Sequence, residues 1–165
     1  MPPKPYPEPK ITVPVFCEEN GFYTTKQRSY NMAQIKGKNT KPEILLKKAL
    51  WHTGIRYRSN KRNLPGKPDI SFIKYRLAVF VDGSFWHGHD WEKRKQTIKS
   101  NRDFWIPKIE RNMQRDLEIN QFYRSGGWNV LRFWDFEVKK ELGVCVNRVG
   151  DEIGLKSLLF NQSFL

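Results

Sequence analysis

The chain predicts a single-domain mixed α/β fold: a central sheet that contains an antiparallel hairpin, with helices packed against it. Three observations carry this expectation. Two short β-rich runs, residues 70–73 and 77–81, are joined only by Lys74-Tyr75-Arg76, which suits a hairpin. Two longer segments flank them with apolar residues at spacings of three and four. A further apolar run, WNVLRFW, follows the second of these segments. At 165 residues the chain is long enough to bury one core and predicts one domain.

The elements follow in order. MPPKPYPEP carries five prolines and no helical period, so residues 1–27 read as an extended, partly disordered arm. The body opens near Arg28 and is expected to run to residue 137. In NTKPEILLKKALWHTG, Thr40 stands three residues before Glu43, Pro42 sits in the first turn, and Gly54 follows the last periodic residue. That pattern predicts a capping box and an amphipathic helix over residues 41–53, burying Leu45, Leu46, Ala49 and Leu50. The hairpin comes next, with Asp69 at the start of its first strand and Asp82 at the end of its second. Residues 93–101 are polar and cationic. DFWIPKIERNMQRDLEINQFYRSGG then predicts a helix through Ile106, Ile109, Met113 and Leu117, stopped at Gly126-Gly127. WNVLRFW reads as a buried strand, and residues 138–165 as a largely helical C-terminal extension with a loose end.

Charge narrows the partners. Lys and Arg number 30 against 17 Asp and Glu, a formal net charge of +13, and nearly all of the excess lies in the body. With 14% aromatic residues, such a body suits a polyanion, because cationic side chains displace counterions from phosphate and aromatic faces stack on bases. Cys17 and Cys145 are far apart and form neither a disulfide framework nor a CxxC metal knuckle. No apolar run reaches membrane-helix length, and the N-terminus lacks a signal-peptide stretch. A soluble cytoplasmic protein is expected.

The chemistry concentrates at the hairpin. In a hairpin the positions of Asp69 and Asp82 share one sheet edge, so both carboxylates can serve one site. Hard oxygen ligands there suit Mg²⁺, and in a basic body they suggest phosphodiester hydrolysis. The competing reading is that each aspartate caps a turn, and spacing alone does not choose between them. FVDGSFWHGHDW continues from Asp82 into a loop. His87, five residues beyond it, is a candidate general base, and His89 a candidate ligand. A structural zinc site wants four nitrogen or sulfur ligands, and no nearby cysteine exists to complete one. Phe85 and Trp86 form either a small core or a wedge that unstacks base pairs. Glu43 has a sufficient role as a capping residue, with a contribution to catalysis as the second option.

RSYNMAQIKGKNTKPE, LPGKPDISF, YRLAVFVDGSFWHGH, FWIPKIERNMQRD and GWNVLRFWDF together resemble the very-short-patch-repair DNA mismatch endonucleases, in the family's order and near its spacing. The resemblance covers about residues 28–137. It implies a restriction-endonuclease-like fold of the PD-(D/E)xK type and Mg²⁺-dependent nicking of one strand beside a T:G mismatch left by deaminated 5-methylcytosine. It implies Asp69 as the Mg²⁺-binding aspartate, His87 as the water-activating histidine and Glu43 as a supporting acid. Phe85 and Trp86 match aromatics inserted beside the mismatch, and Met32 a residue entering from the opposite groove. Lys36, Lys38 and Lys67 fall within the matching stretches as candidate DNA contacts. Asp82 stands where some members carry histidine and is a candidate second metal ligand. A monomer acting on double-stranded DNA is implied, with mismatch-repair proteins as partners. A restriction-type or structure-specific nuclease of the same fold, or a DNA-binding relative without catalysis, are the alternatives.

The departure is zinc. Zinc-binding members carry cysteine at the positions of Ser84, Trp91 and Phe136, and histidine at that of His89; only His89 is kept, so no structural zinc is expected and aromatic packing should fill its place. Elemental analysis of the purified protein should show no stoichiometric zinc; one zinc per chain would refute this reading of the altered ligands.

Overall fold

In the computed structural model, which describes residues 9–35, 37–59 and 63–154, the elements run α1 (Lys26–Ala33), α2 (Lys41–His52), β1 (Arg58–Ser59), β2 (Ile70–Phe72), β3 (Leu77–Asp82), α3 (Trp91–Thr97), α4 (Arg102–Ser125), β4 (Asn129–Trp134), α5 (Asp135–Lys140) and α6 (Leu142–Glu152). Strand order is β1-β2-β3-β4. The first three strands are antiparallel, with Ile70 opposite Val79 and Phe72 opposite Leu77. β4 joins β3 in parallel, placing Phe80 beside Arg132 and Asp82 beside Trp134. A parallel neighbour requires a crossover, and α3 and α4 supply it.

β3 is apolar along its length because both of its faces are covered. Leu77 and Val79, with Ile70, Phe72, Leu131 and Phe133, pack beneath Leu46, Ala49 and Leu50 of α2 and Val138, Leu142, Val146 and Val149 of α5 and α6. Ala78 and Phe80 face the other way, against Tyr123 and Ile119 of α4 and against Trp128 and Val130. The mixed, two-sided sheet is therefore the predicted α/β class.

Several local expectations are refined. The hairpin forms where predicted, its connection tightened by a one-turn 3₁₀ segment, Ile73–Tyr75, and by Arg76 at φ +47°. α2 forms where predicted, but its N-terminus is not a capping box: the Thr40 side chain accepts no helix N–H. Glu43 instead takes the Thr40 hydroxyl at 2.8 Å and the Asn39 N–H at 2.7 Å. β4 is buried on one face only, through Leu131 and Phe133, so its alternation is real and Arg132 belongs to the other side. α1 was not anticipated: it buries nothing and lacks an apolar period, and it starts where the Thr25 hydroxyl caps the Arg28 N–H at 3.2 Å.

Two segments outside the family-like stretches pack on the body. Residues 9–25 run without regular structure, apart from the 3₁₀ turn Glu18–Asn20, and bring Phe16 and Phe22 against Phe104 of α4. α6 buries Leu142, Cys145, Val146 and Val149 in the larger core. The Cys145 thiol is pushed up to about 11, by burial first and by Glu137 next. At neutral pH a maleimide should therefore label one thiol per intact chain, the half-exposed Cys17, and two after denaturation. Rapid labelling of Cys145 in folded protein would contradict the buried placement.

Candidate active site

The end of the hairpin builds two acidic clusters on opposite sides of the sheet. On the α2 side, the buried Pro68 delivers Asp69 to the start of β2, and its Oδ2 accepts the Val81 N–H at 2.8 Å. Glu43, 4% exposed, shares a hydrogen bond with Asp69. Burial pushes the Asp69 carboxyl up to about 7; the Val81 N–H opposes this, Glu43 adds to it and Lys47 relieves it. Lys47 Nζ lies 3.8 Å from Glu43 Oε2, is itself buried, and has no hydrogen-bond partner among the described residues.

On the α4 side stands a denser network. Asp82 Oδ2 meets Arg132 Nη1 at 2.7 Å, and Arg132 Nη2 lies 3.1 Å from Asp116 Oδ1. Arg132 Nε donates to Asn120 Oδ1 at 3.0 Å, and the guanidinium covers the Phe80 ring at 4.5 Å. His87 Nδ1 sits 2.5 Å from Asp116 Oδ2 and 3.6 Å from Asp82 Oδ1. Two carboxylates thus face one guanidinium, and a protonated imidazole would balance them. Burial alone would lower the His87 pKa, but the Asp116 hydrogen bond and the charges of Asp82 and Asp116 outweigh it, and the net direction is upward. Asp82 is raised as well, chiefly by burial, against the pull of Arg132 and His87.

The loop carrying His87 is fastened to α4 and α5. Its backbone coils back on itself through His87 N to Gly83 O at 3.1 Å and His89 N to Ser84 O at 3.0 Å. Asn112 Nδ2 holds the Trp86 carbonyl at 3.0 Å, and Asp135 Oδ1 accepts the Ser84 N–H at 3.0 Å. Burial would raise Asp135, yet that N–H and Lys139 bring it below the usual carboxylate range. Gly88 turns at φ +71°, and a Cβ there would meet the Met113 sulfur, so the loop's course depends on glycine. His89 lies edge-on to Trp134 at 5.0 Å and to Phe136 at 4.8 Å, while Trp91 Nε1 donates to Glu110 at 3.1 Å.

The sequence-predicted residues are thus only partly gathered. Glu43 and Asp69 are in contact, as are His87 and Asp82, and a cleft of about 380 Å³ is lined by Glu43, Val81, Trp86, His87 and Lys139. Asp69 and Asp82 take different partners: Asp69 accepts the Val81 N–H and shares a hydrogen bond with Glu43, while Asp82 pairs with Arg132. Phe85 is 40% exposed and Met32 39%, and both line a second cavity of about 410 Å³. Lys38 and Lys67 are exposed, while Lys36 lies outside the described residues. Asp116, Arg132 and Lys47 were missed. A lone charge inside WNVLRFW, and the four-residue spacing of Asn112, Asp116 and Asn120, were the signals available. No described helix is long and apolar enough to cross a membrane.

Since the folded His87 pKa is raised, its contribution to stability is full below the unfolded value and lost as pH rises through the folded one. In metal-free urea denaturation, the stability gap between wild type and His87→Gln should be larger on the acid side of the ordinary histidine range and should narrow as pH rises above that range. A gap that widens with pH would overturn the network's charge balance.

Comparison with known proteins agrees with this architecture. Residues 20–93 match the family model for DNA mismatch endonuclease Vsr. The type II nicking enzyme V.NmeDIP of Neisseria meningitidis serogroup C is 54% identical over 126 residues, which span 76% of this chain and 85% of the relative. V.HpaIIP of Haemophilus parainfluenzae, also a type II nicking enzyme, is 54% identical over 118 residues, covering 71% and 84%. DNA mismatch endonuclease Vsr of Escherichia coli K12 is 34% identical over 108 residues, covering 66% and 69%. The chain belongs to the Vsr family of DNA mismatch endonucleases.

Proposed function

We propose that the chain is a Mg²⁺-dependent endonuclease that nicks one strand of duplex DNA beside a T:G mismatch, the product of 5-methylcytosine deamination. The observation that carries this reading is the meeting of Glu43, His87 and Trp86 around one cleft, with Phe85 projecting next to it.

The acidic pair fits the ion. Mg²⁺ takes oxygen ligands, draws only one or two carboxylates from protein and keeps several waters. Asp69 is half-buried and Glu43 buried, with Lys47 as their nearby cation, and burial first, with Glu43 adding to it, pushes Asp69 up to about 7; a divalent cation would supply further positive charge to this pair. Asp69, with Glu43 beside it, would hold the metal. When bound, the metal polarises the scissile phosphate and acidifies the attacking water. Asp82, its carboxylate turned to Arg132 and His87, acts in orienting the base rather than as the second ligand.

In its neutral form, His87 takes the water's proton at Nε2, because Nδ1 is committed to Asp116. Asp116 and Asp82 stabilise the imidazolium that forms, and Arg132 holds both carboxyl groups in place. Lys38 and Lys67, with Lys36, contact phosphates, while Phe85 and Trp86 enter the stack and Met32 approaches from the opposite side. Residues 28–137 carry this chemistry in a monomer, residues 138–154 complete the core beneath it, and the nicked strand passes to mismatch-repair proteins. The second reading, a nicking enzyme for another duplex target, is favoured by the type II nicking names of the relatives.

Labelled T:G and fully matched duplexes incubated with the protein and Mg²⁺ decide between them. Nicking of the mismatched duplex alone, abolished by EDTA and reduced about a hundredfold or more by Asp69→Ala, is the expected result. Equal cleavage of both duplexes selects the second reading. Binding without cleavage, unchanged by Asp69→Ala, would leave a DNA-binding protein and sink the enzyme reading.

A further inference from the structure

We propose that Phe16, in the segment preceding α1, is a positioning residue for mismatch reading: it braces the Phe85–Trp86 pair from behind through the first turn of α4. This rests on the wedge role proposed for that pair. Most of the segment lies ahead of residue 20, where the match to the family model begins.

An unbroken series of ring contacts links the two places. Phe16 meets Phe104 edge-on at 4.9 Å and stacks on Phe22 at 5.6 Å, and Phe22 reaches Phe104 at 5.6 Å. Phe104 meets Trp105 at 5.0 Å. Trp105 in turn supports Phe85 at 6.1 Å and Trp86 at 5.9 Å, and those two meet edge-on at 5.1 Å. Behind Trp105, the ring support comes from Phe104, which Phe16 and Phe22 hold in place.

The segment is fixed by polar anchors as well. Ile11 N–H donates at 3.0 Å to Oε1 of Gln114, a residue only 6% exposed in the middle of α4. Asn101 Nδ2, just ahead of α4, donates to the Tyr23 carbonyl at 2.8 Å. The Cys17 carbonyl accepts N–H groups from Asn20 and Phe22, closing the turn that aims the Phe16 and Phe22 rings at α4. The same face is open to a ligand: Phe16 lines the 410 Å³ cavity together with Arg28, Met32, Phe85, Lys99 and Trp105.

A ring entering a base stack works against stacking on both sides, so a wedge that gives way at its base slides back instead of opening the step. Phe85 is 40% exposed, so its hold comes from Trp86 and Trp105. Phe16 therefore sets how far a bound duplex is opened, and through that how well a mismatch is distinguished from a matched pair.

The test uses full-length protein with a T:G duplex carrying 2-aminopurine beside the mismatch, read at saturating protein so that the signal reports unstacking per complex. Phe16→Ala should lower the fluorescence gain and the mismatch-to-matched nicking ratio by about three- to tenfold, as loss of an aromatic contact would. Phe16→Tyr, which keeps the ring, should restore both. If Phe85→Ala lowers both readouts while Phe16→Ala matches wild type, the bracing role is overturned and the wedge stands. If Phe85→Ala changes neither, the wedge reading fails and the bracing role with it. Should Phe16→Ala not fold cooperatively, Phe16→Leu decides on the same terms, since a leucine fills space without supplying a ring edge.

Discussion

One guanidinium shared by the buried Asp82 and the half-buried Asp116 organises this molecule. Asp82 ends β3, Asp116 lies in the middle of α4, and Arg132 stands between them on β4. A buried carboxylate without a partner is costly, so strand, helix and strand are held in one arrangement. The parallel pairing of β3 with β4 places the Arg132 backbone beside Phe80, and its side chain then crosses the Phe80 ring to reach Asp82. What remains after that pairing is one negative charge, and His87 is drawn toward it. The position of the histidine is thus a consequence of charge balance as much as of loop shape.

α4 turns this balance into a scaffold. Asn112, Asp116 and Asn120 recur at four-residue spacing and so project from one stripe. They hold the Trp86 carbonyl, the His87 ring and the Arg132 side chain in turn. The apolar residues of the same helix close the smaller core through Ile119 and Tyr123. Its first turn carries Phe104 and Trp105, and its middle receives the Ile11 N–H. One long helix therefore sets the loop, the His87 ring and the aromatic face together, while the Asp69–Glu43 pair on the other side of the sheet is positioned by α2.

Much of this was legible in the letters. Periodicity located α2 and the hairpin because each buries an apolar stripe; it located α4 too, although of its expected stripe only Ile109 is buried and Leu117 is 48% exposed. α1 escaped because a local cap and polar side chains build it, with no core to leave a period. The capping box was misjudged because Glu43 is pulled back to Thr40 and Asn39 and shared with Asp69, a tertiary demand that overrides local helix-start chemistry. The two aspartates were correctly placed at the hairpin's end, but their separation depends on which side each carboxylate leaves the sheet, and Asp69 precedes the regular strand where alternation no longer decides. Asp116 and Arg132 were hidden for a simpler reason: their meaning comes from a partner far along the chain.

That distance governs when the site can exist. Arg132 lies 50 residues from the Asp82 it neutralises, and the parallel pair between them closes only after α3 and α4 have crossed the sheet. Non-local pairing of this kind forms late, since the entropy of closing the loop must be met before the contact rewards it. A nascent or partly unfolded chain can present the hairpin and its acids, yet His87 lacks its Asp116 partner, and Asp82 its Arg132, until the crossover is complete. In a DNA endonuclease of this family, the His87 network is in this way tied to completion of the fold.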